Sequence, residues 1–107
     1  MSLIDDATTI GNVLTQIDTA LQTPGLSDAD WHTLYALRKH LDGLQRDLIR
    51  KSISEADQTY QKLTAQLKTA SNQLTTFLGD LTKVQNAIAT VAQIASYADQ
   101  LLKMAGG

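Results

Sequence analysis

A chain of 107 residues, 43% of them hydrophobic and 19% charged, is long enough for one folded domain and too apolar to be disordered. The absence of cysteine excludes disulfides, zinc–cysteine sites and thiol nucleophiles, and a net charge of −2 argues against a nucleic-acid-binding protein. One tryptophan, three tyrosines, one phenylalanine and one proline favour helices, because strand proteins use more aromatic residues and more turns. We therefore predict a single all-α domain over residues 1–107.

The first residues do not resemble a secretory signal peptide. Met1–Asp6 is acidic and lacks a basic segment followed by an apolar one. No window holds about 18 consecutive apolar residues, so we expect no stable membrane span. The localisation stays open between the cytoplasm and export without a cleaved signal peptide.

Two helices are predicted in the first half of the chain, over about 3–22 and 27–51. Pro24 ends the first helix because a proline disfavours helical backbone at the residue before it. Ser27 or Asp28 can cap the amide groups at the start of the second helix. Apolar residues three and four apart form a coiled-coil seam in each helix: Leu3, Ala7, Ile10, Leu14, Ile17 and Leu21, then Trp31, Leu34, Leu37, Leu41, Leu44 and Leu48.

The third predicted helix covers about 54–104, and its seam runs from Tyr60 to Leu102 without an error in the spacing. Around 48–53 the seam changes register, and Ser52–Glu55 has the pattern of a capping box, which fits either a turn or a continuous helix. At Gly79–Asp80 the seam keeps its phase, which favours continuity. Two architectures follow: a three-helix hairpin or bundle with a long C-terminal coiled-coil helix, or a four-helix up-down bundle if Gly79 breaks that helix.

The sequence offers no pattern of a catalytic or metal site. His32 and His40 are eight residues apart, a spacing that fits no helical metal motif, and Asp28 near His32 does not complete one. Phosphate-binding glycine loops and G-x-S-x-G are absent from the sequence. We therefore predict no enzyme, no cofactor and no metal.

Charge is uneven along the chain. Residues 1–30 carry five aspartates and no base, whereas 31–51 carry five bases and two acids. The simpler interpretation is that the basic stretch pairs with the acidic segment inside the molecule, and the alternative is an acidic partner or anionic lipid.

The stretch 69–98 gives the strongest indication of function, because Asp80 and Lys83 are its only charged residues. Soluble coiled coils usually carry lysine and glutamate off the seam. A long seam that two shorter helices cannot cover predicts a homo-oligomer, a dimer or larger, through 60–102. The predicted interface residues are Leu67, Leu74, Phe77, Leu81, Val84, Ile88 and Val91.

A second candidate interface is formed by Trp31, Tyr35 and Arg38, which follow each other along one face of the second helix. The alternative is that Trp31 fills the end of the core.

The leading hypothesis is a structural or interaction protein without catalytic activity. The alternatives are a helical adaptor, chaperone or immunity-type partner of a secreted or toxic protein, and a membrane-active secretion-system substrate. The neutral stretch is similar in composition to helical components of bacterial secretion machines. Size and hairpin character resemble small secreted proteins with a W-x-G turn, although the sequence here reads Trp31-His32-Thr33, without that motif.

Overall fold

In the part of the chain that the structure describes, the protein is a bundle of four α-helices, which confirms the predicted all-α class. The structure, a computed structural model, describes residues 3–50 and 57–105. Its elements are α1 (Leu3–Gln22), α2 (Asp28–Ile49), α3 (Gln58–Leu78), a 3₁₀ turn (Leu81–Lys83) and α4 (Val84–Ala105).

The favoured prediction of one continuous helix over 54–104 is wrong, and the alternative of four helices with a break at Gly79 is correct, because the chain turns back at Gly79–Asp80. Asp80 Oδ1 accepts hydrogen bonds from the Thr82 amide at 3.0 Å and the Thr82 hydroxyl at 2.8 Å. Such side-chain bonds compete with helical backbone bonds, and glycine is a weak helix former. The spacing of three and four residues is present in both α3 and α4 because each helix faces the same core.

The other predicted joint lies largely outside the described residues. α2 ends at Ile49 with Arg50 as its C-cap, and residues 51–56, including the Ser52–Glu55 pattern, are not described. α3 begins where Asp57 Oδ1 accepts hydrogen bonds from the amides of Thr59 and Tyr60 at 2.8 and 3.1 Å. At the start of α2, Ser27 is the capping residue.

The bundle consists of two antiparallel hairpins, α1–α2 and α3–α4, packed side by side. α1 lies parallel to α3, as shown by the hydrogen bond from the Thr75 hydroxyl to Gln16 Oε1. α2 lies parallel to α4, and Gln85 Nε2 donates to Asp30 Oδ1. The particle measures 43 × 21 × 16 Å, so the chain forms a short bundle rather than a long rod.

All four helices contribute to one apolar core. Its largest fully buried side chains include Tyr60, Ile10, Ile17, Leu34, Leu41, Leu48, Leu67, Leu74, Ile94 and Leu101. Each such aliphatic side chain stabilises the fold by about 1.5–3 kcal/mol through removal from water. The bundle therefore covers much of the apolar seam with its own helices.

Candidate functional site

The residues that the structure describes include no metal-binding cluster of histidines and acids. His32 and His40 are both exposed on α2. Across residues 3–50 and 57–105, no group of three or more histidine, aspartate or glutamate side chains could hold a metal ion. None of the described helices is both long and apolar enough to cross a membrane.

The predicted seam interface lies against the core of the same chain. Leu67, Leu74 and Val91 are fully buried, and the half-buried Phe77 and Ile88 pack against the core. Val84 is half-buried, and the side chain of Leu81 lies outside the described part of the structure. An interface between copies that used the fully buried members of this set would therefore require the bundle to open.

Trp31 and Tyr35 form a fixed aromatic stack at the start of α2. Their rings lie 5.2 Å apart with an interplanar angle of 9°, and the indole Nε1 donates to the backbone oxygen of Leu21 at 3.0 Å. This hydrogen bond ties the half-buried Trp31 to the end of α1, while Tyr35 remains 42% exposed. Trp31 thus closes one end of the α1–α2 hairpin and supports an exposed aromatic ring.

Arg38, the third residue of that predicted cluster, points to α1 instead. Its guanidinium forms two hydrogen bonds with the Asp18 carboxylate, one of them 3.1 Å long. The cation near the stack is Lys39, whose Nζ lies 5.6 Å from the centre of the Tyr35 ring. One pair between the basic stretch and the acidic first segment is therefore present.

A buried polar cluster joins the first turns of α1 and α3, and the sequence reasoning missed it. Asp6 is 0% exposed, and neither of its carboxylate oxygens has a hydrogen-bond partner of ordinary geometry among the described residues. Burial raises the pKa of Asp6, while the nearby Thr64 and Tyr60 hydroxyls lower it to a smaller extent. Asp6 precedes Ile10 by four residues and Val13 by seven, a spacing that places all three side chains on the same face of a helix. This spacing was the signal in the sequence that Asp6 is buried.

The outer side of the α3–α4 hairpin has a groove with few charged side chains. A groove of about 390 Å³ between the two helices is lined by Lys62, Ala65, Gln66, Thr69, Ala70, Gln73, Gln93 and Tyr97. On α4, the exposed Ala89, Ser96 and Gln100 lie within one or two turns of Gln93 and extend this surface. We call these residues the α3–α4 face.

The α1–α2 hairpin differs in its surface chemistry. Its outward-facing residues include the Asp18–Arg38 and Asp42–Arg46 ion pairs and Lys39. The uncharged residues of 69–98 therefore lie together on one side of the folded molecule.

Comparison with protein-family models, with curated proteins and with solved structures finds no match to this chain.

Proposed function

We propose that this protein is a structural or interaction protein without catalytic activity that self-associates through the α3–α4 face. The observation that carries the proposal is the groove on the outer side of this hairpin, in which Lys62 at one end is the only charged lining residue, whereas Lys68 and Lys103 are exposed elsewhere on the two helices. The centres of protein interfaces are depleted of charge because charged groups are costly to desolvate. Tyrosine, which is enriched in interfaces, is present as Tyr97.

The size of the hairpin suits a modest dimer. α3 and α4 contain 21 and 22 residues. At 1.5 Å per residue and about 10 Å per helix, the whole outer side of the hairpin measures roughly 30 by 20 Å, and the α3–α4 face covers the central part of it. Two whole outer sides bury about 1,200 Å² in total, the lower end of the range for specific interfaces, so the dimer extends beyond the α3–α4 face itself.

A second copy of the chain is the occupant that fits best. A two-fold interface places the same surface on both sides, so it must be complementary to itself. A surface of one charge sign would repel its copy, whereas glutamine, threonine and serine side chains both donate and accept hydrogen bonds. Ala65 and Ala89 are small and exposed, which permits close approach of helices.

The test is the solution mass by light scattering at micromolar concentration, for the wild type and two matched variants. Gln93→Lys places two like charges together in a two-fold interface and should weaken the dimer about tenfold or more. Asn12→Lys adds the same charge to an exposed position of α1, and should leave the dimer intact.

Three results would contradict the proposal. A monomeric wild type would refute self-association and would favour a heterologous helical partner instead. Equal masses for the wild type and Gln93→Lys would show that the α3–α4 face is not part of the interface. Dissociation by Val84→Glu but not by Gln93→Lys would place the interface on the originally predicted seam.

A further inference from the structure

A second exposed surface runs along α2, on the side that faces away from the core. Its members are spaced three or four residues apart, so that they follow one another along a single helix face. We call them the basic stripe: His32, Tyr35, Lys39, Gly43, Arg46 and Arg50.

One end of the basic stripe is held in place by contacts within the chain. Tyr35 is stacked on Trp31, and Trp31 is held by its hydrogen bond to Leu21. Lys39 lies over the Tyr35 ring, so the aromatic ring and the cation present one joint surface. Groups that are already ordered lose little conformational entropy on binding, which favours recognition at this end.

In the middle of the basic stripe, at Gly43, no side chain covers the helix backbone. Gly43 lies inside α2, and a Cβ atom built on it would meet no atom within 4 Å. Packing within the chain therefore does not require glycine here, although glycine destabilises a helix relative to alanine. A shallow cleft of about 240 Å³ above it is lined by Gly43, Arg46, Asp47 and Arg50.

The charge of the basic stripe is only partly neutralised by its neighbours. Arg46 pairs with Asp42 one turn earlier in the same helix. Lys39 and Arg50 form no salt bridge within residues 3–50 and 57–105. The exposed Ile49, with 59% of its surface accessible, adds one apolar contact beside Arg50.

From these features we propose that the basic stripe docks an acidic helix of another protein. The spacing of three and four residues suits a helix lying along α2, and the open backbone at Gly43 permits close approach. Carboxylates on the partner would complement Lys39 and Arg50, which form no salt bridge among the described residues, although the exposed Asp47 lines the same cleft as Arg50.

Two other occupants fit less well. A second copy of this chain offers no acidic helix face, because no helix among the described residues presents exposed acids on successive turns. An anionic membrane is disfavoured because Tyr35 and Ile49 are the exposed large apolar side chains near the stripe, which is little surface for insertion.

The probe is a fluorescein-labelled, alanine-based helical peptide with glutamates spaced three and four residues apart along one face. Its binding is measured by anisotropy, and Trp31, as the only tryptophan, gives a second signal. We expect binding that weakens with added salt, and binding at least about tenfold weaker when the glutamates are replaced by glutamines.

Two double variants of equal net charge separate the basic stripe from general electrostatics. Lys39→Glu with Arg50→Glu should weaken binding about tenfold or more, because each change replaces attraction by repulsion. Lys83→Glu with Lys103→Glu reverses two exposed charges at the ends of α4 and should change binding less than about twofold. An equal loss in both double variants would overturn the proposal.

In the variant Gly43→Ala, weaker binding cannot be explained by a loss of folding, because the substitution should stabilise the fold. Alanine should raise the midpoint of thermal unfolding because it favours helix, yet lower the affinity for the peptide because it fills the open backbone. An unchanged affinity would refute close approach at Gly43. Binding to phosphatidylserine-containing vesicles without binding to the glutamate peptide would assign the stripe to a membrane instead.

This proposal is independent of the α3–α4 face. Gln93→Lys should retain the affinity of the wild type for the glutamate peptide even if the dimer dissociates. A loss of peptide binding in that variant would overturn the assignment to α2.

Discussion

Replacing Asp6 by asparagine should stabilise the protein at neutral pH, although most substitutions of buried residues destabilise. The wild-type carboxylate is fully buried, and the Thr64 and Tyr60 hydroxyls beside it offset only part of the cost of that burial, since its pKa is raised. A buried polar group whose burial is not fully compensated costs about 1–3 kcal/mol, and a charged group more. Asparagine keeps the shape of the side chain, removes the charge, and can donate from its amide to the nearby Thr64 hydroxyl.

We expect a gain of about 1–2 kcal/mol in the free energy of unfolding at pH 7. For a chain of this length, 1 kcal/mol corresponds to a shift of about 4 °C in the unfolding midpoint. Urea unfolding followed by circular dichroism measures the difference directly. Asp5→Asn, at the exposed neighbouring position, is the matched control and should change stability by less than about 0.5 kcal/mol.

The pH dependence of this difference has a definite sign. Burial raises the pKa of Asp6 above its ordinary value of 3.8, so the folded state holds the proton more tightly than the unfolded state. The cost of the carboxylate is therefore present above the raised pKa and is relieved as the pH falls from there towards 3.8. The advantage of Asp6→Asn should shrink over the same window. A constant difference between acid and neutral pH, or a destabilised Asp6→Asn, would refute the reasoning.

Three further substitutions test the account of the fold by thermal or urea unfolding. Leu41→Ala should cost about 2–5 kcal/mol because it leaves a cavity in the core, and the same change at the half-buried Leu37 should cost less. Trp31→Phe removes the hydrogen bond to Leu21 and should cost about 1 kcal/mol; no change would mean that this bond does not tie α2 to α1. Asp57→Ala should cost about 1 kcal/mol, since two amides at the start of α3 lose their acceptor, whereas Asp57→Asn should retain most of the stability.

Local signals in the sequence were sufficient for α1 and for the start of α2. Pro24 ends the region in which α1 can continue, and the chemistry of the side chains predicts a cap at Ser27 or Asp28, of which the structure shows Ser27. Heptad spacing also placed Leu34, Leu41 and Leu48 in the core, because in a bundle this small the seam faces the other helices.

The turn at Gly79–Asp80 could not be chosen from spacing alone. A seam that keeps its phase fits a straight helix and a helical hairpin equally well, because both place the same side chains against an apolar partner. What differs is whether the partner comes from the same chain, and that depends on the whole bundle. The residue pair Gly79–Asp80 was the local indication of a turn in the sequence, and in the structure Asp80 accepts two hydrogen bonds from Thr82 there.

The candidate surfaces were predictable to different degrees. The lack of charge over 69–98 is visible in the sequence, but its concentration on the α3–α4 face depends on how the two helices pack. Arg38 and Lys39 are neighbours in sequence, and only the position of Asp18 on α1 determines which of them forms an ion pair and which remains available to a partner.

The phase of the seam across Gly79–Asp80 bears on how any measured dimer is interpreted. If this junction straightened, α4 would extend from α3 in correct register and could occupy the same place in a second molecule. Such an exchanged dimer, a domain swap, would reuse the core contacts of the monomer, and only the hinge would differ. It would form slowly, since the bundle must first open, and Gln93→Lys would not disrupt it. Refolding at low and at high concentration therefore distinguishes exchange of α4 from rapid, reversible pairing of closed bundles.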